Sequence, residues 1–206
     1  MAVAARKSAK RAGAPRRGER VGHILGESLK CFAEQGFERV TYDDLIARSK
    51  VSRGSFYWYF PSKEALYDAV LDTCVADYVA RLEAAFATTD PDLHVVRRLL
   101  RASLADFNAH RLQYRVLLRP PPSKEAVARL ARWNDDVLAF MRGKLEPAVA
   151  SGTLDAATAA IVPDVLSAFI DGVCVRLVLE DETSVSRLQA NIEAFLARAT
   201  EPRAVR

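Results

Sequence analysis

The chain has 206 residues, half of them hydrophobic, with nine Gly and nine Pro. That length holds one or two small domains, and the composition excludes a disordered or fibrous chain. The formal net charge of +4 is uneven: residues 1–66 carry thirteen Lys and Arg against seven Asp and Glu, whereas residues 67–206 carry seventeen against nineteen, so the positive potential is confined to the N-terminal part.

No apolar run approaches the roughly 18–20 residues that span a bilayer, and the basic N-terminus lacks an apolar core segment of the secretory type. Cys31, Cys74 and Cys174 are odd in number and far apart, which predicts reduced, buried thiols in a cytoplasmic protein, with redox sensing the alternative. No CxxC, HExxH, GxGxxG, P-loop or GxSxG pattern occurs, so no metal, cofactor or enzymatic activity is expected.

Residues 1–18, rich in Ala and basic side chains from Arg6 to Arg17, read as a disordered basic tail. The first helix is expected over residues 20–35, with Val21, Ile24, Leu25, Leu29 and Phe32 at helical spacing. Gly36 stops it, and Phe37 falls where an apolar residue folds back onto Phe32. Thr41-Tyr42-Asp43-Asp44 fits a capping box that opens a second helix to about residue 48. Lys50-Val51 makes the turn, and Ser52 caps a third helix over residues 53–60.

That third helix contains five consecutive aromatics, Phe56 to Tyr59 and Phe60. Successive residues turn about 100°, so five cover every face of a helix. Phe56 and Phe60 share one face and form the natural core pair; Tyr57 and Trp58 must then point outward, beside Arg53 and Lys63. Helix, short turn and capped second helix form the helix-turn-helix plan, in which the start of the second helix meets base edges in the major groove of DNA.

Six further helices are expected: residues 62–87 as one long rod, then 92–109, 112–118, 123–149, 155–180 and 183–199, about nine in all. Pro120-Pro121-Pro122 ends one of them, Pro147 predicts a kink, and Pro163 a kink or a late start. The helix over 155–180 is apolar almost all round, so it needs cover on both sides, from its own core and from a second copy.

Thr41-x-x-Asp44-Leu45-Ile46-Ala47 followed by Val51-Ser52-x-Gly54-Ser55-Phe56-Tyr57-x-Tyr59-Phe60-x-Ser62-Lys63-Glu64-x-Leu66 resembles the DNA-binding domain of TetR-type transcriptional regulators. Tyr59 departs from the pattern, since many members carry His there. The resemblance covers residues 20–67. It implies an all-α chain with an N-terminal three-helix helix-turn-helix domain over 19–66 and a C-terminal helical ligand-binding and dimerisation domain over 67–206. It implies that Arg53, Ser55, Tyr57 and Trp58 read bases, and that Thr41, Tyr42, Ser52, Tyr59 and Lys63 contact phosphates. The interface of a homodimer is expected to use Val165, Phe169, Gly172, Val173, Leu188, Ile192 and Phe195. A small hydrophobic effector is expected among Phe107, His110, Tyr114, Trp133, Asn134, Phe140 and Phe169, each of which also fits ordinary core. The expected partners are therefore a double-stranded DNA operator, an apolar effector and a second copy, with no membrane. The alternative is a DNA-binding regulator without a small-molecule ligand.

Overall fold

The computed structural model describes residues 17–91, 93–179 and 182–200; the basic tail lies outside them except for Arg17 and Gly18. Among the described residues every regular element is a helix: α1 (Arg17–Gln35), α2 (Tyr42–Ser49), α3 (Arg53–Tyr59), α4 (Lys63–Val75), α5 (Tyr78–Ala87), α6 (Val95–Ala109), α7 (Arg111–Leu117), α8 (Lys124–Ala150), α9 (Ala156–Leu179) and α10 (Glu182–Thr200). No described helix is long and apolar enough to cross a membrane.

The starts of α2, α3 and α4 are fixed by three hydroxyls. Thr41 and Asp44 form both halves of the capping box, and Ser52 and Ser62 accept from the amides of Ser55 and Ala65, which satisfies donors the helix cannot. Lys50 ends α2 in the left-handed region at φ 54°. Gly36, at φ 82°, ends α1, and Phe37 stacks on Phe32 with ring centroids 6.0 Å apart.

The expected single rod over 62–87 is two helices. It breaks at Ala76-Asp77, with Asp77 left-handed at φ 56°. Arg81 explains the break. Its guanidinium donates to the carbonyls of Ala76 (2.8 Å) and Cys74 (3.4 Å), the groups α4 leaves unpaired, and its Nε donates to Asp106 at 3.0 Å. Asp106 is buried and also accepts from the Tyr114 hydroxyl at 3.1 Å; His110 Nδ1 lies 3.1 Å from it, and Tyr78 donates to Tyr114 at 2.7 Å. Burial raises both phenols well above their usual range, so they remain protonated donors.

Two apolar clusters result. One joins Ile24, Phe32, Leu45, Phe56, Leu66 and Val70 of α1–α4 to Val116 and Leu117 of α7 and Ala126 of α8. The other gathers Leu82, Leu99, Phe107, Met141, Ile170 and Leu177 from α5, α6, α8 and α9, together with Tyr114. The seven-residue α7 therefore serves both. Pro163 is buried inside α9, which starts at Ala156 without delay, and Pro147 lies inside the last turns of α8.

Removing one partner of a buried ion pair leaves an uncompensated charge, at about 3–5 kcal/mol. Asp106→Ala should lower unfolding stability by about 3 kcal/mol in urea titration; a change below about 1 kcal/mol would show that the pair does not hold α5 to α6.

Candidate nucleic-acid interface

The helix-turn-helix presents α3 as an amphipathic wedge. Phe56 is fully buried and Phe60 nearly so, while Trp58 is 64% and Tyr57 45% exposed. Tyr57 lies against Tyr42 at 4.7 Å, and Trp58 against Tyr59 at 4.8 Å, with the Arg17 guanidinium 4.7 Å from the Trp58 ring. The aromatic surface is thus braced from both sides rather than loose.

At the start of α3, Arg53 donates to Asp43 at 2.6 Å, with both side chains more exposed than buried. Such an exposed pair holds less than about 1 kcal/mol, so it orients the guanidinium across α2 and α3 and yields readily to a guanine edge. Ser55 is half-buried and bonded to the Ser52 hydroxyl at 2.8 Å. Thr41 and Ser52 are exposed caps. The Thr41 hydroxyl and amide hold the Asp44 carboxyl below its usual range, so its contribution is present at neutral pH and lost as pH falls through that lowered value.

Two side chains expected to meet phosphates are tied up inside the protein. Tyr42 donates its hydroxyl to the Phe60 carbonyl, and its ring packs 5.2 Å from Phe56. Lys63 turns back from the start of α4: its ammonium donates to the carbonyls of Phe37 (3.0 Å) and Val40 (3.2 Å) and sits 4.2 Å from the Phe37 ring. Both fasten the 36–41 loop and the end of α3. Only one of the three ammonium N–H groups of Lys63 is left for another acceptor.

Further ties were not foreseen from sequence. His23 of α1 donates to the Ser49 carbonyl at 2.8 Å, and Arg48 pairs with Glu34 at 2.7 Å. Arg119, just past α7, donates to the Ala33 carbonyl at 3.1 Å, and its guanidinium lies where a Cβ on Gly36 would come within 2.6 Å. Gly36 is therefore required by its φ, and a Cβ there would also push the Arg119 guanidinium aside. The Asp106–His110 spacing of four was the one legible trace of the buried network.

Of the expected effector residues, Phe107 and Tyr114 are buried with centroids 5.1 Å apart, and half-buried Trp133 reaches them through Tyr78, also at 5.1 Å. The Trp133 indole N–H is buried without an acceptor. His110 borders this group through Asp106, and Phe140 packs separately against Phe86 at 6.4 Å. Asn134 is exposed and does not join them. Phe169, 39% exposed, does not join them but lines a groove of about 400 Å³ with Gly172, Val173, Leu188 and Ile192. Val173 and Ile192 are already buried within the chain; Val165 and Phe195 are largely exposed. Among the described residues no group of His, Cys, Asp and Glu could hold a metal ion. All three cysteines are buried free thiols, and burial pushes Cys74 and Cys174 up to about 12, which opposes thiolate chemistry.

Residues 24–70, from α1 into α4, match the model for bacterial regulatory proteins of the tetR family. This DNA-binding segment belongs to the tetR family. A relative of this chain, the HTH-type transcriptional regulator YhgD of Bacillus subtilis, is 24% identical over 136 residues, 64% of this chain and 70% of YhgD. The fold matches the fatty acid degradation regulator FadR from Bacillus halodurans with a TM-score of 0.71 at 16% identity, over 92% of this chain and 100% of that one. It also matches SmeT in its triclosan complex, with a TM-score of 0.64 at 24% identity, over 79% of this chain and 81% of SmeT. TetR regulators bind DNA as dimers, and some bind small ligands; this chain is a transcriptional regulator of the TetR type.

Proposed function

We propose that the protein is a homodimeric repressor that grips a palindromic operator and is released by a small apolar effector. The observation that carries this reading is the uncovered aromatic and basic face of α3, braced on a sealed core. In it Arg53 and Ser55 read bases, Tyr57 and Trp58 lie along the groove wall, and Thr41, Ser52 and Tyr59 meet phosphates; Tyr42 and Lys63 position the loops that present them. Residues 19–66 act as the DNA-binding unit and 67–206 as the effector and dimerisation unit.

The second copy covers α9. Ile161, Val165 and Phe169 recur every four residues and are exposed, Val165 at 65%, beside exposed Phe195 of α10. A stripe of this kind on two helices is suited to a four-helix, two-fold interface. The two recognition helices then enter successive major grooves, about 34–36 Å apart.

The triclosan complex of SmeT supports the effector reading. The space for the effector is the group Phe107, Tyr114 and Trp133, where the unpaired indole N–H offers a donor. Phe107 packs on Tyr114, and Tyr78 joins Tyr114 to Trp133, so an effector must part these rings and displace Tyr114. Because α7 also anchors Val116, Leu117 and Arg119 against α1, that displacement reaches the helix-turn-helix. The effector acts only through unequal affinity for the two arrangements.

Three measurements check these statements. On an operator selected from random DNA, Arg53→Ala should lose about 1–3 kcal/mol and flatten preference at particular base pairs; an equal loss on every sequence rules out base reading. Gly172→Arg has open space in the single chain, so it should fold and yet sediment as a monomer with weakened operator binding; a wild-type monomer well above the DNA-binding concentration ends the dimer reading. An apolar compound that raises the melting temperature and quenches Trp133 should change operator affinity about 5–150-fold, the range of a 1–3 kcal/mol coupling; stabilising compounds that leave it unchanged favour a regulator without an effector.

A further inference from the structure

We infer that a groove at the foot of the helical core binds an organic anion carrying an apolar body. The groove, about 700 Å³, lies where the end of α5 and the start of α6 meet the C-terminal part of α8, and none of its lining residues belongs to α1–α4. That volume is within the range of small-molecule sites, roughly 300–1,000 Å³. Its apolar wall includes Phe86, Leu93, Val95 and Pro147.

Two cations converge on one ring of that wall. The Arg98 guanidinium lies 4.1 Å and the Lys144 ammonium 5.2 Å from the Phe86 centroid, and Lys144 is also 5.3 Å from Phe140. Both line the groove, so its field is positive. They are held by different partners: Thr89 accepts from Arg98 Nε at 3.1 Å, and Glu83 pairs with Lys144 at 2.5 Å. Thr89 is neutral and takes one of five guanidinium N–H donors. Glu83 brings one negative charge to two positive ones and does not line the groove, and none of its described lining residues is acidic. The α6 helix also begins here, at His94 and Val95, so the positive end of its dipole adds to the field. An anionic head placed between Arg98 and Lys144 would accept two parallel guanidinium bonds, and its apolar body would lie along Phe86, Leu93, Val95 and Pro147.

This groove shares no lining residue with the Phe107–Tyr114–Trp133 group, although its Phe86 wall belongs to the same apolar cluster. Occupancy is read directly, so the inference does not rest on the effector reading. Octanoate, octyl phosphate and octanol are titrated calorimetrically into the full chain. Either anion should bind saturably, the tighter one identifying the head group as carboxylate or phosphate, and octanol should bind much more weakly. Arg98→Gln and Lys144→Gln should each weaken the anion by about tenfold, the value of one charge-assisted bond, while Trp133→Phe should leave it unchanged. Melting curves show whether each variant folds; if Arg98→Gln does not, Lys144→Gln carries the test. No anion binding at millimolar concentration, octanol binding as tightly as octanoate, or loss in Trp133→Phe with none in Lys144→Gln overturns the inference. Anion binding that leaves operator affinity unchanged supports the site and leaves the effector reading to be tested on its own compounds.

Discussion

The pairing of Arg81 with Asp106 holds together the place where four helices would otherwise part. One guanidinium caps the carbonyl end of α4, belongs to α5 and reaches α6, while the carboxylate it meets also receives Tyr114 of α7. A carboxylate away from water is tolerated only with its partners in place. Burying it therefore favours one mutual arrangement of α4 to α7 over packings that apolar contact alone would allow. Strength is the lesser part of its contribution, since a well-packed apolar replacement can be as stable; definition of geometry is the greater.

Around that point α7 is divided between two cores. Tyr114 belongs to the cluster of α5, α6, α8 and α9, and Val116 and Leu117 to that of the helix-turn-helix. A seven-residue helix has no slack to absorb a shift on one side without moving on the other, and close-packed interiors answer with discrete repacking rather than gradual strain. The Arg119 grip on the end of α1 extends the same connection beyond the helix.

Local chemistry was legible in the sequence. Hydroxyls at 41, 52 and 62, a glycine at 36, and the division of the aromatic run into Phe56 and Phe60 inside, Tyr57 and Trp58 outside, all follow from rules that act within one turn of chain. The break at Ala76-Asp77 was not legible, because its flanks hold no Gly or Pro; a side chain twenty-five residues away from Arg81 decides it. The internal bonds of Tyr42 and Lys63 were not foreseen for a related reason. Periodicity gives the face a residue occupies, not which distant carbonyl waits there. Asn134 shares a face of α8 with buried Leu138 and Met141 yet is exposed, because a repeat cannot say where the neighbouring helices end.

The core beneath α3 is completed by Val116, Leu117 and Ala126, residues synthesised long after the recognition helix itself. A nascent chain that has delivered only α1 to α4 lacks the apolar surface that seals them. An abortive product of that length would be a poor competitor for DNA, and a half-made regulator would be silent rather than stray. Competence to bind is thus tied to translation of α7 and the start of α8, some sixty residues downstream.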